Sequence, residues 1–184
     1  LYPDEISGQK VYVDADKNII ISTEYDQIGN FNYGLAYVEF NGLYGLMDKQ
    51  CNIVFDLKYD SIPLTISNPL DDDYVFLILE ENGKFQLFQL DGNSLNNEEY
   101  DMINTDAIVG LMTLLVNGFD GTIPSDSFRN AFKVQKDGKW GLLSWDGEMV
   151  IPMEYDDIDI FGWAHFLEVE QNGKYGIVTT NNEL

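Results

Sequence analysis

The sequence contains few of the residues on which most catalytic and metal sites depend. It has one cysteine, Cys51, and one histidine, His165, in 184 residues. A single cysteine excludes an intrachain disulfide and a zinc site built from several thiolates. A dyad with an imidazole base would have to use His165, and no nucleophile motif surrounds a serine or Cys51. We therefore predict a chain that is not an enzyme and that holds no metal or other cofactor.

Basic residues are also scarce. Ten lysines and arginines stand against 32 acidic residues, which gives a formal net charge of −22. Such a surface repels nucleic-acid phosphates and anionic membranes. No apolar run approaches the roughly 20 residues of a membrane-spanning helix. The composition disfavours nucleic acid and membrane insertion, and it favours a basic protein, a polyamine or a divalent cation as partner. Solubility alone is the alternative explanation of the charge.

A fixed spacing recurs along the chain and indicates a tandem repeat. Four glycines are each followed 17 residues later by a Tyr-Asp pair. The glycines are Gly8, Gly42, Gly83 and Gly138, and the pairs are Tyr25-Asp26, Tyr59-Asp60, Tyr100-Asp101 and Tyr155-Asp156. A fifth unit opens at Gly173. A residue present in every copy is predicted to build the repeat, so the four aspartates are interpreted as scaffold.

Each repeat is predicted to be a three-stranded meander, whose strands we call A, B and C. Strand A alternates polar and apolar residues and ends at Asn-Gly or Asp-Gly, which is typical of a type I′ hairpin. Strand B is apolar on both faces and is predicted to be central, with an aromatic ring filling the space beside its glycine. Pro152 predicts that strand C lies at an edge or ends early. One such unit cannot bury its own apolar face, so neighbours are predicted to share a core.

The fourth repeat carries a recognisable motif. Its segment Asp137-Gly138-Lys139-Trp140-Gly141, followed by Glu154-Tyr155-Asp156, resembles the WG repeat found in many bacterial proteins. Residues 42–46 and 173–177 are similar, with tyrosine in place of tryptophan. Repeat three departs from the motif at Gln86, and repeat one has Lys10-Val11 in place of the aromatic-Gly pair. The resemblance implies an all-β tandem array and a noncatalytic module, and it carries over no catalytic residues.

The predicted array contains five repeats and one insertion. The repeats are assigned to residues 1–28, 36–62, 76–103, 132–158 and 166–184. The first is predicted to lack strand A and the last to be truncated, so we expect one stretch of a longer array. An open, solenoid-like stack is favoured over a propeller-like ring, because propeller blades usually have four strands and these units supply three.

Residues 104–131 lie outside the repeat pattern. Thr105 is a plausible N-cap, and apolar residues follow at helical spacing, which predicts a short helix near 105–117. The apolar positions are Ile108, Leu111, Met112 and Leu115. They would either cover the open side of a sheet or dock a partner protein.

A column of acidic residues is the second candidate binding surface. Glu39, Glu80, Gln135 and Glu170 stand three residues before the repeat glycine, on the polar face of strand A. Stacking of the repeats in register would align them, so we predict an acidic stripe that binds a basic ligand. Asp14-x-Asp16-x-Asn18 resembles the start of a calcium loop but lacks its glycine and glutamate, and it is interpreted as a hairpin turn. Asp71-Asp72-Asp73 is interpreted as a solvated loop.

The sequence therefore predicts a noncatalytic binding module with a protein partner, contacted through the acidic stripe and the 104–131 insertion. One alternative is an acidic inhibitor of the immunity or antitoxin type, which neutralises a basic enzyme. A second alternative is a glycan or cell-wall binding module that uses exposed aromatic residues. Neither cysteine content nor charge distinguishes a cytoplasmic bacterial protein from a secreted or cell-surface one.

Overall fold

All regular structure in the described part of the chain is β-strand, which confirms the predicted all-β class. The computed structural model describes residues 2–6, 9–13, 15–22, 25–68, 71–104, 131–160 and 166–179. The helix predicted near 105–117, with Ile108, Leu111, Met112 and Leu115, lies outside these residues and is not confirmed. Within these ranges no helix is long and apolar enough to cross a membrane.

The strands form five antiparallel sheets. The first contains β1 (Tyr2–Ile6), β2 (Gln9–Val13) and β3 (Ile19–Ser22). The second contains β4 (Gln27–Ile28), β5 (Leu35–Phe40), β6 (Leu43–Asp48) and β7 (Ile53–Tyr59). The third contains β8 (Ser61–Asn68), β9 (Asp71–Glu81) and β10 (Lys84–Gln89). The fourth contains β11 (Met102–Asn104), β12 (Ala131–Lys136), β13 (Lys139–Ser144) and β14 (Met149–Tyr155). The fifth contains β15 (Asp157–Ile160), β16 (Phe166–Gln171) and β17 (Lys174–Thr179).

The chain divides into two compact units, and each is described by itself. Unit 1 comprises Leu1–Ile66, Val75–Gly83 and Phe88–Asn93. Unit 2 comprises Ser67–Tyr74, Lys84–Leu87 and Ser94–Leu184.

The segment that closes one repeat forms the first strand of the next sheet. β4 pairs with β5, β11 with β12, and β15 with β16, so each closing segment adds a strand alongside strand A of the following repeat. The second and fourth sheets consequently have four strands, three from one repeat and one from the closing segment of the preceding repeat. Strand number therefore gives no reason to prefer an open stack over a ring, and the arrangement of the repeats stays a prediction.

Two further expectations are corrected by the strands. The first repeat does have strand A, because β1 pairs with β2 along all five of its residues. Pro3 is compatible with this strand because β1 lies at the edge of its sheet, where a missing N–H breaks no ladder bond. Asp71-Asp72-Asp73 is not a loop, since these residues begin the long strand β9.

The strand order confirms the roles predicted for strands B and C. β6 and β13 each lie between two neighbours, while β7 and β14 lie at the edge. Pro152 lies in the edge strand β14. In repeats two to five the first turn of the hairpin also has positive φ at both central residues, as a type I′ turn requires. These pairs are Asn41 and Gly42, Asn82 and Gly83, Asp137 and Gly138, and Asn172 and Gly173.

Strand B needs its glycine because a backbone carbonyl of strand C lies beside it. The prediction of an aromatic ring in that space is wrong. A Cβ on Gly45 would lie 2.6 Å from the carbonyl oxygen of Phe55, and one on Gly141 would lie 2.6 Å from that of Ile151. The cause is a bulge, because two residues of strand B span four residues of strand C in both sheets. Gln86 occupies the same position in repeat three, where the third sheet has no strand C.

Buried side chains from neighbouring sheets share cores within each unit. In unit 1, Leu46 and Phe55 of the second sheet cluster with Leu77 and Phe88 of the third sheet. The rings of Phe55 and Phe88 meet edge to face, with centroids 5.3 Å apart. In unit 2, Leu142 and Ile151 cluster with residues of the fifth sheet, among them Leu167 and Val178.

The bulge predicts unequal costs for two alanine substitutions in one repeat. Gly141→Ala should reduce the free energy of unfolding by about 3 kcal/mol, because the new Cβ meets a carbonyl oxygen that cannot rotate away. Gly138→Ala has open space around its Cβ and should cost only about 1–2 kcal/mol, from the positive φ. Urea unfolding followed by tryptophan fluorescence measures both. Equal costs, or a larger cost for Gly138→Ala, would contradict the role of the bulge.

Candidate functional site

The repeated aspartates hold the hairpin of the following repeat. In each copy one carboxylate oxygen accepts a hydrogen bond from the backbone N–H of the first turn residue, and the aspartate's own N–H donates to a strand A carbonyl. The carboxylate bonds join Asp26 to Asn41 (2.7 Å), Asp60 to Asn82 (2.6 Å), Asp101 to Asp137 (2.7 Å) and Asp156 to Asn172 (2.5 Å). The backbone bonds reach Glu39, Glu80, Gln135 and Glu170. We call this two-point contact the aspartate clamp, and it supports the interpretation of these residues as scaffold.

Two of the clamps are reinforced by lysines. The pKa of Asp101 is lowered mainly by a hydrogen bond from Lys84 and next by the hydrogen bond from the Asp137 N–H. A hydrogen bond from Lys139, followed by the bond from the Asn172 N–H, lowers the pKa of Asp156. Both carboxylates are thereby held in the ionised form that accepts the turn N–H most strongly.

The predicted acidic stripe consists of equivalent, half-buried side chains. Glu39, Gln135 and Glu170 each lie opposite the strand B aromatic of their own sheet. The charge of Glu39, together with burial and a hydrogen bond, raises the pKa of Tyr44. The charge and the hydrogen bond of Glu170 raise the pKa of Tyr175. Glu80 instead accepts a hydrogen bond from the Ser61 hydroxyl at 2.6 Å. Glu39 and Glu80 lie in unit 1, and Gln135 and Glu170 lie in unit 2.

Unit 1 contains a pocket of about 800 Å³ that is lined by aromatic, aliphatic and polar side chains. Its volume lies within the range typical of ligand sites. The lining residues are the aromatics Phe31, Tyr33, Tyr37 and Tyr44, the aliphatics Leu35, Leu46, Ile62, Leu77 and Leu90, and the polar Gln27, Asn30, Asn32, Asp60 and Ser61. Glu39 and Glu80 are each hydrogen-bonded to a lining residue, Tyr44 and Ser61. Neither glutamate lines the pocket itself, but each of the two stripe residues of this unit is bonded to one of its lining residues.

Gly29 fixes the position of one aromatic wall. The ring of Tyr37 lies against this glycine so closely that an added Cβ would come within 2.2 Å of two ring carbons. The Gly29 N–H donates to the Tyr37 carbonyl at 2.9 Å, and the Tyr12 hydroxyl donates to the Gly29 carbonyl. Tyr12 is buried. Gly29 therefore holds one side of the Tyr37 ring, while the residue as a whole remains 37% exposed.

Cys51 shows no sign of catalytic activation. Burial, and to a lesser extent the charge of Asp48, raises the pKa of the Cys51 thiol, which disfavours the reactive thiolate. Cys51 also occupies a turn position with positive φ, which it shares with Lys17 and Gly147. His165 lies outside the described residues. In the part of the chain that is described, no three His, Cys, Asp or Glu residues form a group that could hold a metal ion.

The positions that all repeats share do not predict the pocket, because Tyr37, one of its aromatic residues, is particular to repeat two. Tyr37 stands five residues before the repeat glycine, where the other copies have Ile78, Lys133 and Glu168. Tyr33 stands in a linker, in an αL turn with φ of 48°. The available signal was Tyr37 itself, an aromatic residue at a strand A position where the other copies have none.

Repeated hairpins joined by the same contact define a tandem β-repeat protein. The family model of the WG containing repeat matches residues 12–44, 44–68 and 141–175, which together cover half of the chain. The chain belongs to the WG repeat family. No match was found among curated proteins.

Loss of charge in the clamp is expected to destabilise the fold in a pH-dependent manner. Asp156→Asn should lower the urea midpoint at pH 7, because the amide accepts the turn N–H and the Lys139 bond more weakly. The folded-state pKa of Asp156 lies below the unfolded value of about 3.9, so its stabilisation is complete above that pH. The difference from wild type should therefore disappear as the pH falls through the folded-state pKa.

Asp146→Asn is the matched control. Asp146 is an exposed turn residue of the same repeat, and its substitution removes the same charge. In a chain of net charge −22 this change should be neutral or slightly stabilising, since it reduces repulsion. Equal effects of the two substitutions at pH 7 would refute the clamp.

Proposed function

We propose that the chain is a noncatalytic binding module that recognises a basic protein partner through its acidic surface. The observation that carries the proposal is that six of the few basic residues already pair with carboxylates of the same chain. Six lysines form ion pairs with carboxylates in the described residues: Lys17, Lys58, Lys84, Lys133, Lys136 and Lys139. Because 32 acidic residues face ten basic ones, most carboxylates have no basic residue in the chain to pair with. A basic partner supplies the missing charge.

The strand A positions are the proposed centre of this surface. Glu39 and Glu170 are held by tyrosines, and Glu80 is held by Ser61. A carboxylate that is already fixed loses less entropy when it pairs with a lysine or arginine of a partner. The 104–131 insertion is proposed as a second contact surface on its apolar sequence alone.

An acidic inhibitor of a basic enzyme is a narrower version of this proposal. It would use the same charge complementarity, with an enzyme as the partner. Inhibition of that enzyme at equimolar concentration would distinguish it from a general adaptor.

A charge-neutralised variant tests the stripe. Glu39→Gln, Glu80→Gln and Glu170→Gln together should weaken binding to a fluorescent Lys/Arg-rich peptide, by about 0.2–1 kcal/mol for each lost pair. Anisotropy titrations at two salt concentrations measure this, and affinity should fall with added salt.

A second triple variant removes the same charge elsewhere. Asp56→Asn, Glu99→Gln and Glu148→Gln alter exposed carboxylates outside the stripe and should cost less affinity. Equal losses would show that net charge alone attracts the peptide and would reject the stripe. Equal affinity for an acidic peptide of the same length would reject the function itself.

A further inference from the structure

Repeat four shows what the face of the strand B aromatic can hold. The Lys133 ammonium lies 4.6 Å from the centroid of the Trp140 ring and 2.6 Å from a carboxylate oxygen of Asp157. The side chain of Lys133 is only 13% exposed. An aromatic face and a carboxylate thus enclose an alkylammonium group within the fold itself.

Repeat two lacks both members of this ion pair, because Ser61, which donates a hydrogen bond to Glu80, stands where repeat four has Asp157. Tyr44 replaces Trp140, and Tyr37 replaces Lys133 at the same diagonal across strands A and B. The rings of Tyr37 and Tyr44 are tilted by 59°, with centroids 6.2 Å apart. Both tyrosines line the pocket of unit 1. None of its lining residues, all within the described part of the chain, is a lysine or arginine.

The lining of this pocket changes from apolar at the base to acidic and aromatic at the mouth. Leu35, Leu46 and Leu77 are buried, whereas Tyr33 and Asp60 are exposed. Two further carboxylates, those of Glu39 and Glu80, are hydrogen-bonded to lining residues. An aliphatic stem with a cationic head matches this gradient, because the stem packs on leucines while the head meets π faces and carboxylates. A sugar has polar groups on its whole periphery and matches the leucine base poorly.

We propose that this pocket binds an organic cation, an alkylammonium or guanidinium group with its aliphatic stem. The head group lies at the mouth of the pocket, beside the exposed rings of Tyr33 and Tyr37 and near the carboxylate of Asp60. The proposal goes beyond the proposed function, since a small cation binds here whether or not a protein carries it. The cation could be that of a lysine, an arginine or a quaternary amine, and three probes with these head groups distinguish them.

The first test compares charged and neutral probes on the full chain. Choline, N-acetyl-arginine amide and N-acetyl-lysine amide are titrated in NMR experiments with salt-matched buffers, alongside 3,3-dimethylbutanol, the neutral isostere of choline. The cation that binds should shift the amides of Tyr33, Tyr37, Tyr44 and Asp60, and the preferred head group identifies the source. The neutral isostere should bind about tenfold more weakly than choline.

Variants separate the ring faces from other effects. Tyr37→Leu should lower the affinity for the preferred cation several-fold, and Glu39→Gln should lower it as well. Tyr44→Phe keeps the ring but removes the hydroxyl that holds Glu39, so it should lower affinity less than Tyr37→Leu does. Phe40→Leu removes an exposed aromatic of the same strand that does not line the pocket, and it should have no effect. Thermal melting checks that each variant folds.

Three outcomes would overturn the inference. They are equal affinity for choline and its neutral isostere, shifts that map away from the four named residues, and binding of a chito-oligosaccharide in the pocket without any cation. Peptide binding that survives such a result leaves the proposed function intact. Cation binding without peptide binding supports this inference and counts against the proposed function.

Discussion

The structure depends on one contact, the hydrogen bond from a turn N–H to the aspartate that closes the preceding repeat. This N–H points out of a type I′ turn and has no partner within its own hairpin. The carboxylate accepts it, and the aspartate's own N–H binds strand A two residues earlier. The closing segment is thereby aligned with strand A and continues as a strand of the next sheet, as in β11 and β15. A repeat without its aspartate would lose the turn contact, while the backbone bond to strand A, which any residue except proline can donate, would remain.

The features that the sequence predicted are those encoded within one repeat. Asn41-Gly42 and its counterparts predict their turns because positive φ is a local requirement. The shared aspartates could be assigned to the scaffold, but not their partners, because Asn41 is 15 residues from Asp26. The fourth strand was missed for the same reason, since β4 has two residues and forms only by pairing with the next repeat.

The features that the sequence did not predict depend on distant backbone. The bulge opposite Gly45 and Gly141 is a property of strand C, and nothing near the glycine specifies it. The pocket combines residues 27–46, 60–62, 77 and 90, which only the packing of sheets in unit 1 brings together. Among the stripe residues, Glu39 and Glu80 could be identified from sequence as polar positions, but not their bonds to Tyr44 and Ser61.

Acidic residues therefore have two distinct roles in this chain. Those at the Tyr-Asp positions bind backbone N–H groups and stabilise the repeat, while Glu39 and Glu80 of strand A are fixed by side chains that line an aromatic pocket. Lys133 and Tyr37 stand at the same position of two repeats, and one forms an ion pair within the fold while the other lines the pocket. Function is thus expected where a repeat departs from its neighbours.

Hydrogen exchange of the four turn amides tests the clamp most directly. The N–H groups of Asn41, Asn82, Asp137 and Asn172 lie in exposed turns, where exchange is normally fast. The account predicts that NMR will show all four to be protected, and that Asp60→Ala will release the amide of Asn82 alone. Exchange of these amides at the rate of an unstructured peptide in the wild-type protein would contradict the account.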